Sequence, residues 1–404
     1  MKISRIGIKK NEGMFFFAYG IYIFFAILST SFFYQYFNGI VYRFILIFCL
    51  ILLAINELIS QKYTKKTLVA MGVAIFLLFA FVYSSHLINQ FIMVIAFVYC
   101  GRKISFKKIA QFTIYLSSTV LAIIILSSKV GFIENYIRTV YSSFYGRERT
   151  REYLGFLYSL YGPAILFNLT MLILYIKKQK VSLGECSILI LANYWIYRKT
   201  DSRLSTWLAI CLILICVLLK YNICVIANSK VLKLLLMISY PVTFIMSVVL
   251  TLGYNKNVEW MRELNAFLGT RLSLGQKSIM LYGISLLGKR NLEWRGWGLN
   301  ASGEITKGNY LWVDNAYIQM LQRFGIVATV IIIILLTFVM IKCLRRENYY
   351  LAIMLAVIAI RFFIDDLFLY LYYNSFWFVI GETLLEISPN KVELKMKTKE
   401  FYDS

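Results

Sequence analysis

The chain has 404 residues, of which 60% are hydrophobic, 17% are aromatic and only 16% are charged. Apolar runs recur to the end of the chain, and this composition excludes an ordinary soluble globular protein. The formal net charge of +23 at pH 7 would suit nucleic acid, but the basic residues lie in short segments between the apolar runs. That spacing is typical of membrane topology and of attraction to anionic lipid head groups. We therefore expect membrane lipids, and not nucleic acid, as partners.

Twelve apolar windows predict an all-α polytopic integral membrane protein with one domain, residues 1–404. A long extracytoplasmic loop, 254–322, is predicted to interrupt the series. Within it, Trp260, Leu264 and Phe267 share one face of an amphipathic helix that we expect to lie along the membrane surface. The predicted spans are 14–34, 39–59, 68–84, 86–100, 110–128, 154–176, 185–198, 204–220, 233–253, 323–342, 349–364 and 367–386.

Basic residues set the predicted orientation. Residues 1–11 and every second loop are rich in lysine, and the positive-inside rule places them in the cytoplasm together with both termini. Sorted by predicted side, lysines divide into 20 cytoplasmic and 6 external, whereas arginines divide into 4 cytoplasmic and 11 external. Orientation needs only positive charge, so the external arginines need another explanation. A guanidinium group binds phosphate or carboxylate through two hydrogen bonds, which predicts an anion site on the outer face. For any single arginine, pairing with a nearby acid is the alternative.

Three parts of the chain combine these arginines with other polar residues. The first is GRERTREYLGFLYSLYGP at 146–163, and the second is RKTDSRLSTW at 198–207. The third comprises LGTRLSLGQKSIMLYG, WRGWGLN and VDNAYIQMLQRFGI, which lie between residues 268 and 326. The candidate functional residues in these segments are Arg147, Arg151, Arg203, Arg271, Arg295, Asp314, Asn315 and Tyr317.

Taken together, these segments resemble the O-antigen polymerase and ligase superfamily, the Wzy-type polysaccharide polymerases. The resemblance covers nearly the whole chain through hydropathy and loop placement, and the order and spacing of short motifs add to it. The ligase branch has a histidine before the asparagine of the last motif, where this chain has Asp314. The matching motifs are Ser202-Arg203, Thr270-Arg271, Gly296-x-Gly298, and Asp314-Asn315-x-Tyr317 followed by Gly325.

The resemblance implies an enzyme of the bacterial cytoplasmic membrane that polymerises undecaprenyl-pyrophosphate-linked oligosaccharide repeats for a surface polysaccharide, O-antigen or capsule. The growing glycan would be transferred to a hydroxyl group of a new lipid-linked repeat. Arg203 and Arg271 would stabilise charge on the leaving pyrophosphate, and Asp314 would accept the proton of the attacking hydroxyl. We expect no metal and no cofactor. The residues assigned to substrate binding are Arg147, Arg151, Arg295, Asn315 and Tyr317.

Several alternatives stay open at this point. A flippase or other transporter of the same lipid-linked substrate should carry charge along a central cavity and show two related halves, whereas here arginine favours one face. An O-antigen ligase is the other functional alternative. Asp314 has a second interpretation as the N-cap of the following helix. Partners expected from the pathway are its chain-length regulator and its flippase.

Asp365 and Asp366 form the only adjacent acidic pair in the chain. They would suit a divalent cation. Arg361 precedes Asp365 by four residues on one helical face, however, and this spacing predicts an ion pair.

Cysteine labelling of intact cells tests the predicted topology. In a background without the seven native cysteines, Gly303→Cys and Tyr145→Cys should react with a membrane-impermeant maleimide. Lys65→Cys and Lys180→Cys should react only after permeabilisation, because the positive-inside rule places them in the cytoplasm. A cytoplasmic residue 303 would contradict the predicted orientation.

Overall fold

A computed structural model describes residues 12–37, 39–60, 65–85, 90–142, 147–300, 302–305 and 308–385, and this part of the chain is mostly helical. The helices are α1 Gly13–Leu28, α2 Gly39–Ser60, α3 Lys65–Ser85, α4 Gln90–Cys100, α5 Phe106–Val130, α6 Tyr161–Lys177, α7 Leu183–Thr200, α8 Arg203–Asn222, α9 Cys224–Asn228, α10 Lys230–Met237, α11 Ser239–Leu252, α12 Glu259–Phe267, α13 Arg271–Tyr282, α14 Ala316–Arg323, α15 Gly325–Arg345, α16 Tyr349–Ile364 and α17 Phe378–Leu385. The strands are β1 Ile137–Ser142 and β2 Arg147–Glu152.

The centre of the bundle is formed by α1, α6 and α16, whose sequences are apolar on nearly every face. Helix α1 packs against α2 and α5, and α16 packs against α6, α8, α11 and α15. Phe15 and Tyr19 of α1 meet Phe378 of α17 edge to face, with ring centroids 6.0 and 5.2 Å apart. The two ends of the described chain are therefore packed together in one core.

The outer helices present large apolar side chains to their surroundings. Phe44, Leu58, Val69 and Leu218 are all more than 60% exposed, a pattern that suits lipid and not water. Among the described residues, α2, α5, α8 and α15 are long and apolar enough to cross a membrane, and the bent pair α10–α11 is a fifth if its two helices count as one span. The helical fold and the membrane-length helices were predicted, while the full set of twelve spans stays a prediction.

Two of the predicted spans differ from single straight helices. The window 233–253 is divided into α10 and α11, which meet at an angle of 54°. The window 367–386 contains two short 3-10 turns, Leu367–Leu369 and Ser375–Trp377, before α17. Asn374 fixes this break, because its side chain accepts from Phe376 N and donates to Phe368 O at 3.2 and 3.1 Å.

An antiparallel hairpin corrects the prediction of an entirely α-helical chain. Strands β1 and β2 pair with Arg138 opposite Arg151, in a segment that we expected to be a loop. Alternate residues of a strand point to the same side, so Arg149 and Arg151 share one face of β2. This periodicity of two is what the R-E-R-T-R pattern encodes.

The predicted amphipathic helix is present as α12, with Trp260 and Phe267 exposed. The rest of the long loop is held against the bundle where its backbone near Gly288 packs closely on the backbone near Gly325. Gly288 and Gly325 have φ of +94° and +84°. A Cβ on Gly288 would collide with the carbonyl of Arg323, and one on Gly325 with the carbonyl of Leu286.

These glycines give a stability prediction. Gly325→Ala and Gly288→Ala should each destabilise the protein by about 2–4 kcal/mol, because they combine a left-handed backbone with a steric collision. Thermal unfolding of detergent-purified protein measures the loss. Gly72→Ala is the matched control, because nothing lies within 4 Å of its Cβ position and alanine favours the helix. Equal stability of Gly325→Ala and Gly72→Ala would contradict the described packing.

Candidate functional site

A cavity of about 290 Å³ lies at the end of the bundle where α6 and α8 begin and α16 ends. The segment between α13 and α14 forms one of its walls. Charged, hydroxyl-bearing and aromatic side chains all face the same space. Its lining includes Arg271, Arg295, Asp314, Asp365, Asp366, Ser202, Ser205, Tyr158, Tyr161, Trp294, Trp297, Tyr310 and Trp312.

Arg271 is the first residue of α13 and ties three segments of the cavity together. Gly269 and Thr270, both with positive φ, turn the chain sharply between α12 and α13. The Nε of Arg271 donates to the Ile364 carbonyl at 2.7 Å, and its Nη1 donates to the Leu268 carbonyl at 2.5 Å. Its Nη2 lies 3.9 Å from Oδ2 of Asp314. Arg271 and Asp314, both predicted to be catalytic, therefore lie close together in the same cavity.

Asp314 does not cap α14, which was the second interpretation of this residue. The residue that caps α14 is Asn315, whose side chain accepts from Ile318 N at 3.2 Å. Asn315 also exchanges hydrogen bonds with Ser247 at 2.8 and 3.1 Å. The Asp314 carboxylate is consequently left to face Arg271 and the cavity.

Asn315 and Tyr317, predicted to bind substrate, do not line the cavity. Both are buried, with 1% and 0% of their surface exposed. The Tyr317 hydroxyl donates to the Ala359 carbonyl at 3.0 Å and lies 2.7 Å from Thr243 Oγ1. These two residues join α14 to α11 and α16, so their role is to hold Asp314 in place.

The predicted ion pair between Arg361 and Asp365 is confirmed. Nε and Nη2 of Arg361 donate to one Asp365 oxygen at 2.9 and 2.6 Å, and Nη2 also donates to Ser205 at 3.0 Å. The other Asp365 oxygen accepts from Leu367 N at 2.9 Å. Both oxygens of Asp365 are therefore occupied by contacts that fix the turn after α16.

Asp366 is the deeper of the two adjacent acids, with 2% of its surface exposed. Its Oδ2 accepts from Nε2 of Gln319 at 2.8 Å, and the same amide group donates to the Val313 carbonyl at 2.9 Å. The second bond fixes the orientation of the amide, so Gln319 presents a donor to Asp366. The sequence pattern marks Asp366 only as half of an acidic pair that would suit a cation, because no local pattern shows that Asp366 is buried against Gln319.

Two carboxyl groups of the cavity, Asp314 and Asp366, have a raised pKa. Burial, and then the negative charges of Asp314 and Asp365, raise the pKa of Asp366 to about 8, against the opposing effect of Arg323. Burial also raises the pKa of Asp314, while Arg271 opposes the rise. Acids that share a low-dielectric site cannot all ionise without cost.

A second group of arginines lies beside the cavity and converges on Asp201, which ends α7. Arg149 forms a close ion pair with Asp201. The Nε atoms of Arg151 and Arg203 lie 3.5 and 3.4 Å from its two carboxylate oxygens. Three guanidinium groups therefore meet at this one carboxylate, next to Ser202.

The predicted convergence of Arg203 with Arg271 is seen in part. Ser202, Leu204 and Ser205 at the start of α8 line the same cavity as Arg271, but the side chain of Arg203 turns to Asp201. Arg295 lines the cavity, as expected for a substrate-binding residue. The side chain of Arg147, and all of His86, lie outside the described residues.

Aromatic side chains form the remaining wall. Trp297 stacks on Tyr310 with ring centroids 5.1 Å apart and planes 14° apart, and the guanidinium of Arg138 lies 4.4 Å from the Trp297 ring. Trp294 donates from Nε1 to Ser278 at 2.8 Å. These contacts hold Trp294 and Trp297 in place beside the cavity.

A second cavity, of about 90 Å³, is lined almost wholly by apolar residues of α3, α4, α14, α15 and α17. Leu367 lines the first cavity and Leu369 lines the second, so the 3-10 turn Leu367–Leu369 contributes to the wall of each. Arg323 lies near this boundary, 4.7 Å from the Trp294 ring and 5.4 Å from the Phe91 ring. A polar and an apolar compartment thus adjoin.

No family model, curated protein or solved structure matches this chain. Within the described ranges, no group of three histidine, cysteine, aspartate or glutamate side chains is arranged to hold a metal ion.

The raised pKa of Asp366 predicts how stability depends on pH. The folded-state pKa of about 8 exceeds the ordinary value of 3.8, so the folded protein binds this proton more tightly than the unfolded chain. The free energy of unfolding therefore falls as pH rises towards about 8. Between pH 6 and 8 the decrease is about 1 kcal/mol per pH unit. Thermal unfolding should show this slope in wild type and in the exposed control Glu347→Gln. A slope that persists unchanged in Asp366→Asn would argue against a protonated Asp366.

Proposed function

We propose that the protein is a polymerase of undecaprenyl-pyrophosphate-linked oligosaccharide repeats that works at the outer face of the bacterial cytoplasmic membrane. It transfers the growing glycan from its lipid pyrophosphate to a hydroxyl group of a new lipid-linked repeat. The product is a surface polysaccharide such as O-antigen or capsule. The chain-length regulator and the flippase of the same pathway are its proposed partners.

One observation carries this proposal: arginine, carboxyl and aromatic side chains meet in one cavity that adjoins an apolar compartment. A lipid-linked glycan has these same three chemical parts, namely an anionic pyrophosphate, a sugar and a hydrocarbon chain. Each part of the substrate therefore has a surface of matching chemistry in one of the two cavities.

The arginines suit the leaving group. Negative charge builds on the bridging oxygen of pyrophosphate when the sugar–phosphate bond breaks, and a fixed guanidinium group stabilises it without a metal ion. Arg271 is held by two backbone carbonyls, so it needs little rearrangement during the reaction. Arg295 faces the same cavity, and the Arg149–Arg151–Arg203 group supplies further positive charge at its side.

The aromatic wall suits the sugar units. Trp297 and Trp312 line the cavity, and a rigid ring presents its face to the apolar side of a sugar while neighbouring polar groups bind the hydroxyls. The adjoining apolar cavity suits the hydrocarbon chain next to the pyrophosphate. A carboxyl group of the cavity accepts the proton of the attacking hydroxyl.

A flippase for the same substrate is the alternative that the chemistry of the ligand also permits. Its signature is movement of labelled lipid across a vesicle membrane without growth of the glycan. An O-antigen ligase would transfer the glycan to a lipid other than a new repeat. Purified protein in vesicles therefore distinguishes the polymerase, the flippase and the ligase by whether the glycan grows, the lipid moves or the glycan passes to another lipid.

Elongation of lipid-linked repeats by purified protein tests the proposal. With repeats extracted from cells that lack this protein, wild type should produce longer glycans on undecaprenyl pyrophosphate. Arg271→Lys should reduce the rate by about 100-fold or more, because lysine keeps the charge but not the fork that spans two carbonyls and an anion. Arg262→Lys is the matched control, on an exposed arginine of α12.

Size-exclusion and thermal unfolding should show that Arg271→Lys is folded. Two results would count against the proposal: no elongation by wild type, or equal rates for Arg271→Lys and Arg262→Lys.

A further inference from the structure

Asp366 differs from the other two carboxyl groups of the cavity, Asp314 and Asp365, in the charge of its neighbouring partner. Asp365 is bound by two nitrogens of Arg361, and Asp314 faces Nη2 of Arg271. Among the described residues, no lysine or arginine lies within ion-pair distance of Asp366, whose hydrogen bond at 2.8 Å comes from the neutral Gln319 amide. A guanidinium beside a carboxylate favours the ionised form and so weakens it as a base, which opposes the effect of burial on the pKa of Asp314.

We propose that Asp366, and not Asp314, takes the proton from the attacking hydroxyl group, an inference that rests on the proposed polymerase activity. Asp366 lines the same cavity as Arg271, so a substrate there can contact both. Asp314 lies on the Arg271 side and is a positioning residue for that guanidinium. The cavity then has two functional parts, a cationic part for the pyrophosphate and a carboxyl part for the hydroxyl.

The proposed step balances without a further reagent. The acceptor hydroxyl oxygen forms a bond to the first carbon of the donor sugar, and the bond from that carbon to the phosphate oxygen breaks. The electron pair of the broken bond leaves on lipid pyrophosphate beside Arg271. The hydroxyl proton passes to the Asp366 carboxylate and is later released to solvent through the cavity.

The electrostatic surroundings favour this assignment. The charged groups that act on Asp366 are Asp314, Asp365 and Arg323, and burial together with the two acids raises its pKa to about 8. A base whose pKa lies near the working pH combines an available ionised form with a strong drive to accept a proton. Three tyrosines that also feel the charge of Asp366 complete its titratable neighbours: Tyr161, Tyr310 and Tyr370.

The test is the pH dependence of elongation by purified protein, with extracted undecaprenyl-pyrophosphate-linked repeats as the probe. In wild type, kcat/KM should rise with pH up to about 8, because the base acts in its ionised form. Asp366→Asn should lose about 100-fold or more and no longer show that rise. Asp314→Asn removes a charge that raises the pKa of Asp366, so its profile should shift to lower pH.

Glu347→Gln, an exposed acid after α15, is the control and should match wild type. A wild-type profile that is flat between about pH 6 and 9 overturns the assignment without the use of any variant. The assignment is also overturned if Asp366→Asn has the same kcat/KM and pH profile as wild type. It is overturned as well if Asp314→Asn is the one variant in which kcat/KM no longer rises with pH. A wild type that elongates nothing would instead overturn the proposed function.

Discussion

The candidate site depends on the contacts made by the guanidinium group of Arg271. This group donates to the last carbonyls of α12 and α16, at Leu268 and Ile364, and lies 3.9 Å from Asp314. Helix C-terminal carbonyls carry partial negative charge, so a cation between two of them is stabilised by both. Because these segments are far apart in the chain, one side chain positions an exposed amphipathic helix, a buried helix and the entrance to α14.

Most charged groups of the site are paired with a group of opposite charge. Asp366 is the exception, because its hydrogen-bond partner Gln319 is neutral. A buried ion is costly unless hydrogen bonds and an opposite charge compensate it, as they do for Arg361 and Asp365. Asp366 avoids that cost by binding a proton. The transfer from a pyrophosphate that we propose needs a site that stabilises negative charge on the substrate and exchanges a proton.

Hydropathy predicted a mostly helical fold with membrane-length helices, because apolar length is a local property of the sequence. The spacing of Arg361 and Asp365 predicted their ion pair, which the structure shows. The anion site inferred from the excess of arginine on the predicted outer side stays a prediction. Other features depended on contacts that no local pattern records. Asp314 and Asn315 are both good cap residues, and only packing against Ser247 selects Asn315. Likewise, the burial of Asp366 follows from the position of Gln319, 47 residues away.

Electron cryomicroscopy of the protein with undecaprenyl pyrophosphate tests the central claim most directly. The account predicts diphosphate density in the cavity beside Arg271, within hydrogen-bond distance of its guanidinium, and the first isoprene units towards the apolar compartment near Leu369. The Arg271→Lys protein should lose that density under the same conditions. Diphosphate bound at the opposite end of the bundle, or bound equally well without the Arg271 fork, would contradict the account.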